Sequence, residues 1–179
     1  MSRIPHSLSP SQRSLLDLLR AGNPRRDPSW KRNKYEFVLE YGWWYEPSKR
    51  PKGLKLGPPS RCFKNAFCLA LDDNALTYCE GFVLSAGGGV LIHHAWVTDG
   101  QGHAIDNTLR ATDGIYAGVP FNTSFVNRYH LRNKAITCLL DDYLHDWPLL
   151  RELGDRPGEW LEANGRGAAS LAIPTDKSE

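Results

Sequence analysis

Apolar side chains recur at helical spacing near the start of the chain and again after residue 60. The first apolar stripe lies between a Ser9-Pro10 start and Gly22, which is typical of a short amphipathic helix. The second covers residues 61–71 and consists of good helix formers. It predicts a helix with Cys62 in its first turn.

Three later segments have the composition and length of strands. They cover residues 76–84, 90–98 and 103–109, and they are separated by Gly87-Gly88-Gly89 and by residues 99–102. Such short, turn-rich separators predict an antiparallel meander. The predicted fold class is therefore α+β, with an antiparallel β-sheet meander packed against the helix that carries Cys62.

The remaining segments give weaker patterns. Residues 35–41 favour a helix, although their central apolar triplet also suits a strand, and residues 47–59, rich in Pro, Lys and Gly, predict a long exposed loop. Residues 116–130 contain a candidate further strand, and residues 136–153 predict a helix interrupted at Pro148.

Length and composition indicate a single folded domain, because 179 residues with 41% hydrophobic content can bury a sizeable core. We expect one catalytic domain over residues 1–164, with an N-terminal helical extension, and a disordered tail over residues 165–179. No apolar run approaches the ~20 residues that cross a bilayer, and the first thirty residues lack the apolar core of a signal peptide. The sequence thus predicts a cytoplasmic protein without membrane attachment.

The net charge of +2 conceals two unlike parts of the chain. Residues 1–64 carry 14 Lys and Arg against 5 Asp and Glu, whereas residues 65–179 carry 8 against 15. A basic first third can form a surface for nucleic acid or another acidic partner, or a positive surround for a site. No recognised nucleic-acid-binding module accompanies it, so nucleic acid is the less favoured partner.

Cys62, His94 and Asp106 supply the three groups that an enzyme with a thiol nucleophile needs. Cys62 is expected at a helix N-terminus between Arg61 and Lys64, and all of these features favour a thiolate. His94 and Asp106 lie on successive predicted strands, as a general base and the group that orients it.

The turn between those two strands decides whether His94 meets Asp106. In an antiparallel pair the residue numbers of opposite positions always have the same sum. If Thr98 pairs with Gly102, His94 therefore lies directly opposite Asp106, with Cβ atoms roughly 4.5–5.5 Å apart. A two-residue turn would place Ala95 opposite Asp106 instead. The catalytic interpretation therefore requires a loop of odd length or a compensating bulge.

The order Cys62, then residues 78–82, then His94-Ala95-Trp96, then residues 105–108 resembles the transglutaminase-like branch of the papain-like thiol enzymes. The resemblance spans about residues 60–109. It implies a helix carrying the cysteine that packs against an antiparallel sheet. It also implies that Cys62 is the nucleophile, His94 the general base and Asp106 the residue that orients it.

An oxyanion hole needs hydrogen-bond donors near Cys62. The backbone N–H of Cys62 is one candidate, and the side chains of Asn65, Trp44 and Tyr45 are candidates for a second donor or for the wall of a cleft. Trp44 and Tyr45 equally suit a core position, which is the commoner place for such a run.

No metal ion or other cofactor is expected. The cysteines form no CxxC pair, and His103 and His130 lack paired ligand spacing. His93 is expected on the opposite face of its strand from His94, as an exposed or second-layer residue. Buried, unreactive thiols are expected at Cys68, Cys79 and Cys138.

These features predict cysteine-dependent acyl transfer on an amide or ester of a peptide, protein or small molecule, with an acidic substrate as one option. Water as the acceptor would make the protein a peptidase, amidase or deamidase, whereas an amine would make it an acyltransferase. Two alternatives are a catalytically inactive binding module of the same fold, and a nucleic-acid-associated protein that uses the basic N-terminal third.

Overall fold

The computed structural model describes residues 8–22, 31–86, 89–109, 114–167 and 169–171, and within them the chain forms six α-helices and six strands. Gly87 and Gly88 of the glycine turn and the end of the tail from residue 172 lie outside the described residues. The elements are α1 (Pro10–Ala21), α2 (Lys34–Tyr41), β1 (Trp43–Ser48), α3 (Cys62–Asp72), β2 (Thr77–Leu84), β3 (Leu91–Thr98), β4 (His103–Ile105), β5 (Ile115–Phe121), α4 (Thr123–Asn133), α5 (Pro148–Arg151), α6 (Pro157–Trp160) and β6 (Ala169–Ser170), with short 3-10 helices at Tyr143–His145 and Leu153–Asp155.

Five of the strands close into a barrel in the order β4-β3-β2-β5-β1. Neighbouring strands are antiparallel except where β1 pairs with β4, in parallel, and completes the circle. The architecture is mixed α/β with a closed barrel. A meander is present only across β2, β3 and β4, because β5 returns to pair with β2 and β1.

Side-chain alternation gives the barrel two different faces. The helices cover the outer face, and the inner face holds a separate buried cluster. Glycine makes room for this inner cluster, because a Cβ at Gly118 would lie 2.5 Å from the indole of Trp96. The inner cluster comprises Tyr45, Cys79, Val83, Trp96, Ala104 and Tyr116.

Helix α3 lies on the outer face against β3 and β2. It buries Ala66, Phe67 and Ala70, which recur at helical spacing and form its apolar side. Two of these are alanines, so the helix approaches the sheet closely. This packing fixes the start of α3, and with it Cys62, relative to β3.

The predicted helix over residues 136–153 does not form. The backbone N–H groups of Leu139 and Leu140 donate to the carboxylate of Glu80 on β2 instead of to carbonyls within a helix. Further on, Asp146 and Trp147 adopt left-handed backbone conformations, with φ of 61° and 48°, so no helix passes through them. Within residues 136–153 the chain forms the 3-10 helix Tyr143–His145 and the one-turn helix α5, with irregular chain between them.

The end of the described chain also differs from the expected tail. Residues 169–170 form β6 against β1, and Leu171 N–H donates to the carbonyl of Gly42 at 2.9 Å. Among the described helices, none combines the length and apolar character that crossing a bilayer requires.

Candidate active site

Cys62 is the first residue of α3 and is half-buried. The backbone N–H groups of the first helical turn have no acceptor within the helix, and the Arg61 side chain does not cap them. Ser60, just before, has a left-handed backbone with φ of 60°, which is uncommon outside glycine. The chain therefore turns sharply into the helix and presents the Cys62 thiol with free N–H donors beside it.

The strand register differs from the predicted one. Thr98 pairs with Ala104 rather than with Gly102, and the intervening loop has five residues, 99–103, rather than three. The carboxylate of Asp99 explains the longer loop, because its Oδ1 accepts the backbone N–H groups of Gln101 and His103 at 2.9 and 3.0 Å.

The longer loop changes the pairing by two residues, so Asp106 keeps its predicted face. It follows the last residue of β4 and lies diagonally, not directly, across from His94. Nε2 of His94 donates to Oδ2 of Asp106 at 2.7 Å. Both side chains are almost completely buried, at 2% and 6% exposed for His94 and Asp106.

Three further donors hold the carboxylate of Asp106. Oδ1 accepts the backbone N–H groups of Thr108 at 2.7 Å and Leu109 at 2.9 Å, and Oδ2 accepts the hydroxyl of Tyr116 at 3.0 Å. The Trp96 ring packs against Tyr116 on one side and stacks beside His94 on the other. Asp106 is thus fixed as an ionised acceptor that orients the imidazole.

The Cys62 thiol lies close enough to the His94 imidazole to affect its proton affinity. Because Nε2 is occupied by Asp106, Nδ1 is the nitrogen that remains for the sulfur. Burial opposes the charged imidazolium, but the bond to Asp106 and the interaction with Cys62 outweigh burial and raise the pKa of His94 to about 9. Burial also acts to raise the pKa of Asp106, but the bond from His94 and the two backbone N–H groups lower it overall.

Asn65 connects the parts of the site without facing the sulfur. The side-chain amide of Asn65 donates to the carbonyl of Pro58 and to Oγ1 of Thr108, both at 2.9 Å. The backbone carbonyl of Asn65 accepts from the side-chain amide of Asn107 at 3.1 Å. Gly57 packs directly on the Asn65 amide, since a Cβ there would lie 2.4 Å away. Asn65 therefore positions two loops, and its amide protons are engaged there rather than in an oxyanion hole.

The two other side chains considered for the oxyanion or the cleft are core residues. Trp44 is 5% exposed and belongs to the core beneath the helices. Tyr45 lies inside the barrel and donates its hydroxyl to the carbonyl of Gly165 at 2.9 Å. Of the oxyanion-hole donors proposed from the sequence, the backbone N–H of Cys62 is the one that remains beside the thiol.

His93 and Glu80 form a second histidine–carboxylate pair, on the outer face of the barrel. His93 Nε2 lies 3.1 Å from Oε1 of the fully buried Glu80 and packs between the rings of Phe63 and Phe82. Sequence reasoning missed Glu80, although a carboxylate inside an apolar strand was a visible signal. It also gave no role to Tyr116, which the alternation of β5 places on the inner face.

Among the described residues, Glu80, His93 and Cys138 are the group whose ligand atoms lie close enough to hold a metal ion, within 4.8 Å of one another. The Glu80 carboxylate already accepts Tyr78 Oη–H, two backbone N–H groups and His93. Four donors satisfy it without a metal.

The other candidate cysteines and histidines are dispersed. Cys79 is buried as expected, but Cys68 is exposed, because it lies on the outward side of α3. His103 pairs with Asp99, and His130 packs on Phe67 without a hydrogen-bond partner for either ring nitrogen. The structure does not bring these residues to Cys62.

The raised pKa of His94 predicts a loss of stability at alkaline pH. The folded state holds a proton that the unfolded imidazole, with an ordinary pKa near 6.5, has released. This contribution is complete below about pH 6.5, and it is lost as the pH rises through about 9. We expect the free energy of unfolding in urea to decrease between these pH values by more in the wild type than in His94→Asn.

A control for this pH effect is His103→Asn, which removes an exposed histidine that is also paired with a carboxylate. It should retain the wild-type pH dependence. An equal decrease in the wild type and in His94→Asn would contradict the prediction.

Comparisons with protein-family models, with curated proteins and with solved structures found no match for this chain.

Proposed function

We propose that this protein is a cysteine-dependent acyl-transfer enzyme that acts on an amide or ester through a thioester at Cys62. The observation that carries the proposal is the position of His94, whose imidazole bonds to the buried Asp106 at 2.7 Å and interacts electrostatically with Cys62. A binding surface gives no reason to align a thiol, an imidazole and a carboxylate in this order. The resemblance to transglutaminase-like enzymes assigns the same three roles to the same three residues.

In the first half-reaction His94 holds the thiol proton as an imidazolium, and Sγ of Cys62 forms a bond to the acyl carbon. The carbonyl electron pair moves to the oxygen, which the backbone N–H of Cys62 stabilises. When the tetrahedral intermediate collapses, the bond to the leaving amine or alcohol breaks, and that group takes the proton from His94. Asp106 stabilises the imidazolium throughout.

In the second half-reaction water or an amine gives a proton to His94 and attacks the thioester carbon. The C–S bond then breaks, the sulfur keeps the electron pair of that bond, and the proton stays on His94. Water produces a free acid, as in a peptidase, amidase or deamidase, and an amine produces a new amide.

Intact-protein mass spectrometry after incubation with p-nitrophenyl esters and aryl thioesters tests this proposal. We expect a mass increase of one acyl group in the wild type and none in Cys62→Ala. Cys68→Ala is the matched control, because Cys68 lies on the same helix with its thiol exposed and should not affect the adduct. No adduct in the wild type, or an adduct that survives in Cys62→Ala, would favour a binding module instead.

A further inference from the structure

One stretch of the chain beside the candidate site is strongly and uniformly basic. Residues 49–64, termed the basic strap below, connect β1 to the first turn of α3 and contain six Lys and Arg and no Asp or Glu. The absence of carboxylates extends from residue 47 to residue 71. The cations are Lys49, Arg50, Lys52, Lys55, Arg61 and Lys64.

These cations face solvent and have no acidic partners nearby in the described structure. Five of the six are exposed, and Arg50 is half-buried. No ion pair within the described residues involves any of them, whereas cations such as Arg32 and Lys34 are paired with carboxylates. Like charges held together without counter-charges repel one another, so an anion that binds among them is stabilised.

Hydrogen bonds hold the basic strap against the candidate site. Gly57 N–H donates to the carbonyl of Asn107, the residue after Asp106, at 2.7 Å. The carbonyl of Pro58 accepts from Asn65 on α3. The strap contains Cys62 itself, with Arg61 and Lys64 within two residues of it, and Gly57 joins the strap to the loop that carries the carboxylate.

The carboxylate at the site does not cancel this positive charge. Asp106 is buried and paired with His94, and its remaining acceptor positions are filled by two backbone N–H groups and Tyr116. The exposed cations Arg61 and Lys64, within two residues of Cys62, are therefore not neutralised by Asp106.

We infer that the acyl donor carries a negative charge close to the acyl carbon, and that the basic strap selects anionic over neutral donors. This inference rests on the proposed function and specifies its substrate class as a small molecule or peptide with a carboxylate or phosphate group. The strap acts by binding and orienting the anion, because its cations do not contact the reacting atoms of the triad.

Matched reagents that differ by a single charge test the inference. Iodoacetate and iodoacetamide alkylate the same thiol, so the ratio of their rate constants reports the charge around Cys62 without any acyl transfer. We expect this ratio, divided by the ratio for free cysteine, to be about fivefold or more at low ionic strength and to approach one at about 0.5 M salt. In Lys52→Gln/Lys55→Gln/Arg61→Gln the ratio should lose most of this excess.

The same comparison applies to acyl donors, with S-phenyl 4-carboxythiobenzoate set against its 4-carboxamide counterpart. We expect faster acylation by the carboxylate in the wild type and a smaller preference in the triple variant. Arg13→Gln/Arg20→Gln is the control for net charge, because both residues lie on α1, which packs on α2 and β5, and it should retain both preferences. A third phosphonate-bearing donor distinguishes a general anion preference from one for carboxylates.

The two proposals fail in different ways. An iodoacetate ratio equal to that of free cysteine, or one equally raised in the wild type and the triple variant, would overturn the anionic preference even if Cys62 is acylated. A raised ratio that depends on the strap, together with no acyl adduct from any donor, would overturn acyl transfer and leave an anion-binding thiol site.

Discussion

Replacing His94 by Asn is expected to slow acylation of Cys62 by about 10³-fold or more. In the proposed mechanism the variant removes the group that accepts the thiol proton and later protonates the leaving group, and it leaves Asp106 without the imidazole that it bonds at 2.7 Å. Stopped-flow release of p-nitrophenol from an activated ester measures the acylation rate directly.

His93→Asn is a close control for this effect, because His93 is the next residue on β3 and contacts Glu80 on the opposite face. It removes an imidazole from the same strand without removing the base of the triad. We expect its acylation rate to stay within about tenfold of the wild type. A loss in His94→Asn no greater than the loss in His93→Asn would contradict the assignment of His94 as the base.

Replacing Glu80 by Ala is expected to lower the free energy of unfolding by about 3–5 kcal/mol. Glu80 is fully buried, and its two oxygens accept from Tyr78, from His93 and from the backbone of Leu139 and Leu140, at distances of 2.8 to 3.1 Å. The change leaves four buried donors without an acceptor. It also detaches the irregular segment after α4 from the sheet, which urea unfolding monitored by circular dichroism would detect.

Two further variants separate the hydrogen bonds of Glu80 from general effects of removing a charge. Glu80→Gln keeps the shape and one carbonyl acceptor, so it should destabilise less than Glu80→Ala. Glu159→Gln removes an exposed carboxylate that is paired with Arg156, and its effect should stay below about 1 kcal/mol. A loss below about 1 kcal/mol in Glu80→Ala would show that the four donors find other partners.

The sequence predicted that His94 and Asp106 share a face of the sheet, because this depends only on whether the loop between their strands has an odd or even number of residues. Any loop of odd length between the two strands puts both side chains on one face, and the five-residue loop satisfies this condition as the expected three-residue loop would have done. The exact length was not predictable, because it depends on Asp99 accepting two backbone N–H groups within the loop.

Helix α1, whose capping signals are local in sequence, was predictable, and the segment held by a distant side chain was not. Helix α1 begins at Ser9, which accepts from Gln12 while Gln12 bonds back to it, and these signals are local in sequence. Leu139 and Leu140 instead satisfy their backbone donors at Glu80, about sixty positions earlier in the chain. No short-range pattern contains that information, so the local sequence predicted a helix.

The two consecutive histidines of β3 do not by themselves determine how β3 pairs with its neighbouring strands. Each meets an acid, His94 inside the barrel at Asp106 and His93 outside at Glu80. Sliding β3 by one position would exchange the two imidazoles between the faces and still put one on each side, so the histidines do not determine the correct frame. The next two residues, Ala95 and Trp96, determine the register. The same shift would move the fully buried Trp96 out of the barrel and put Ala95 in its place. Fidelity of the site during folding thus depends on a tryptophan that takes no part in the chemistry.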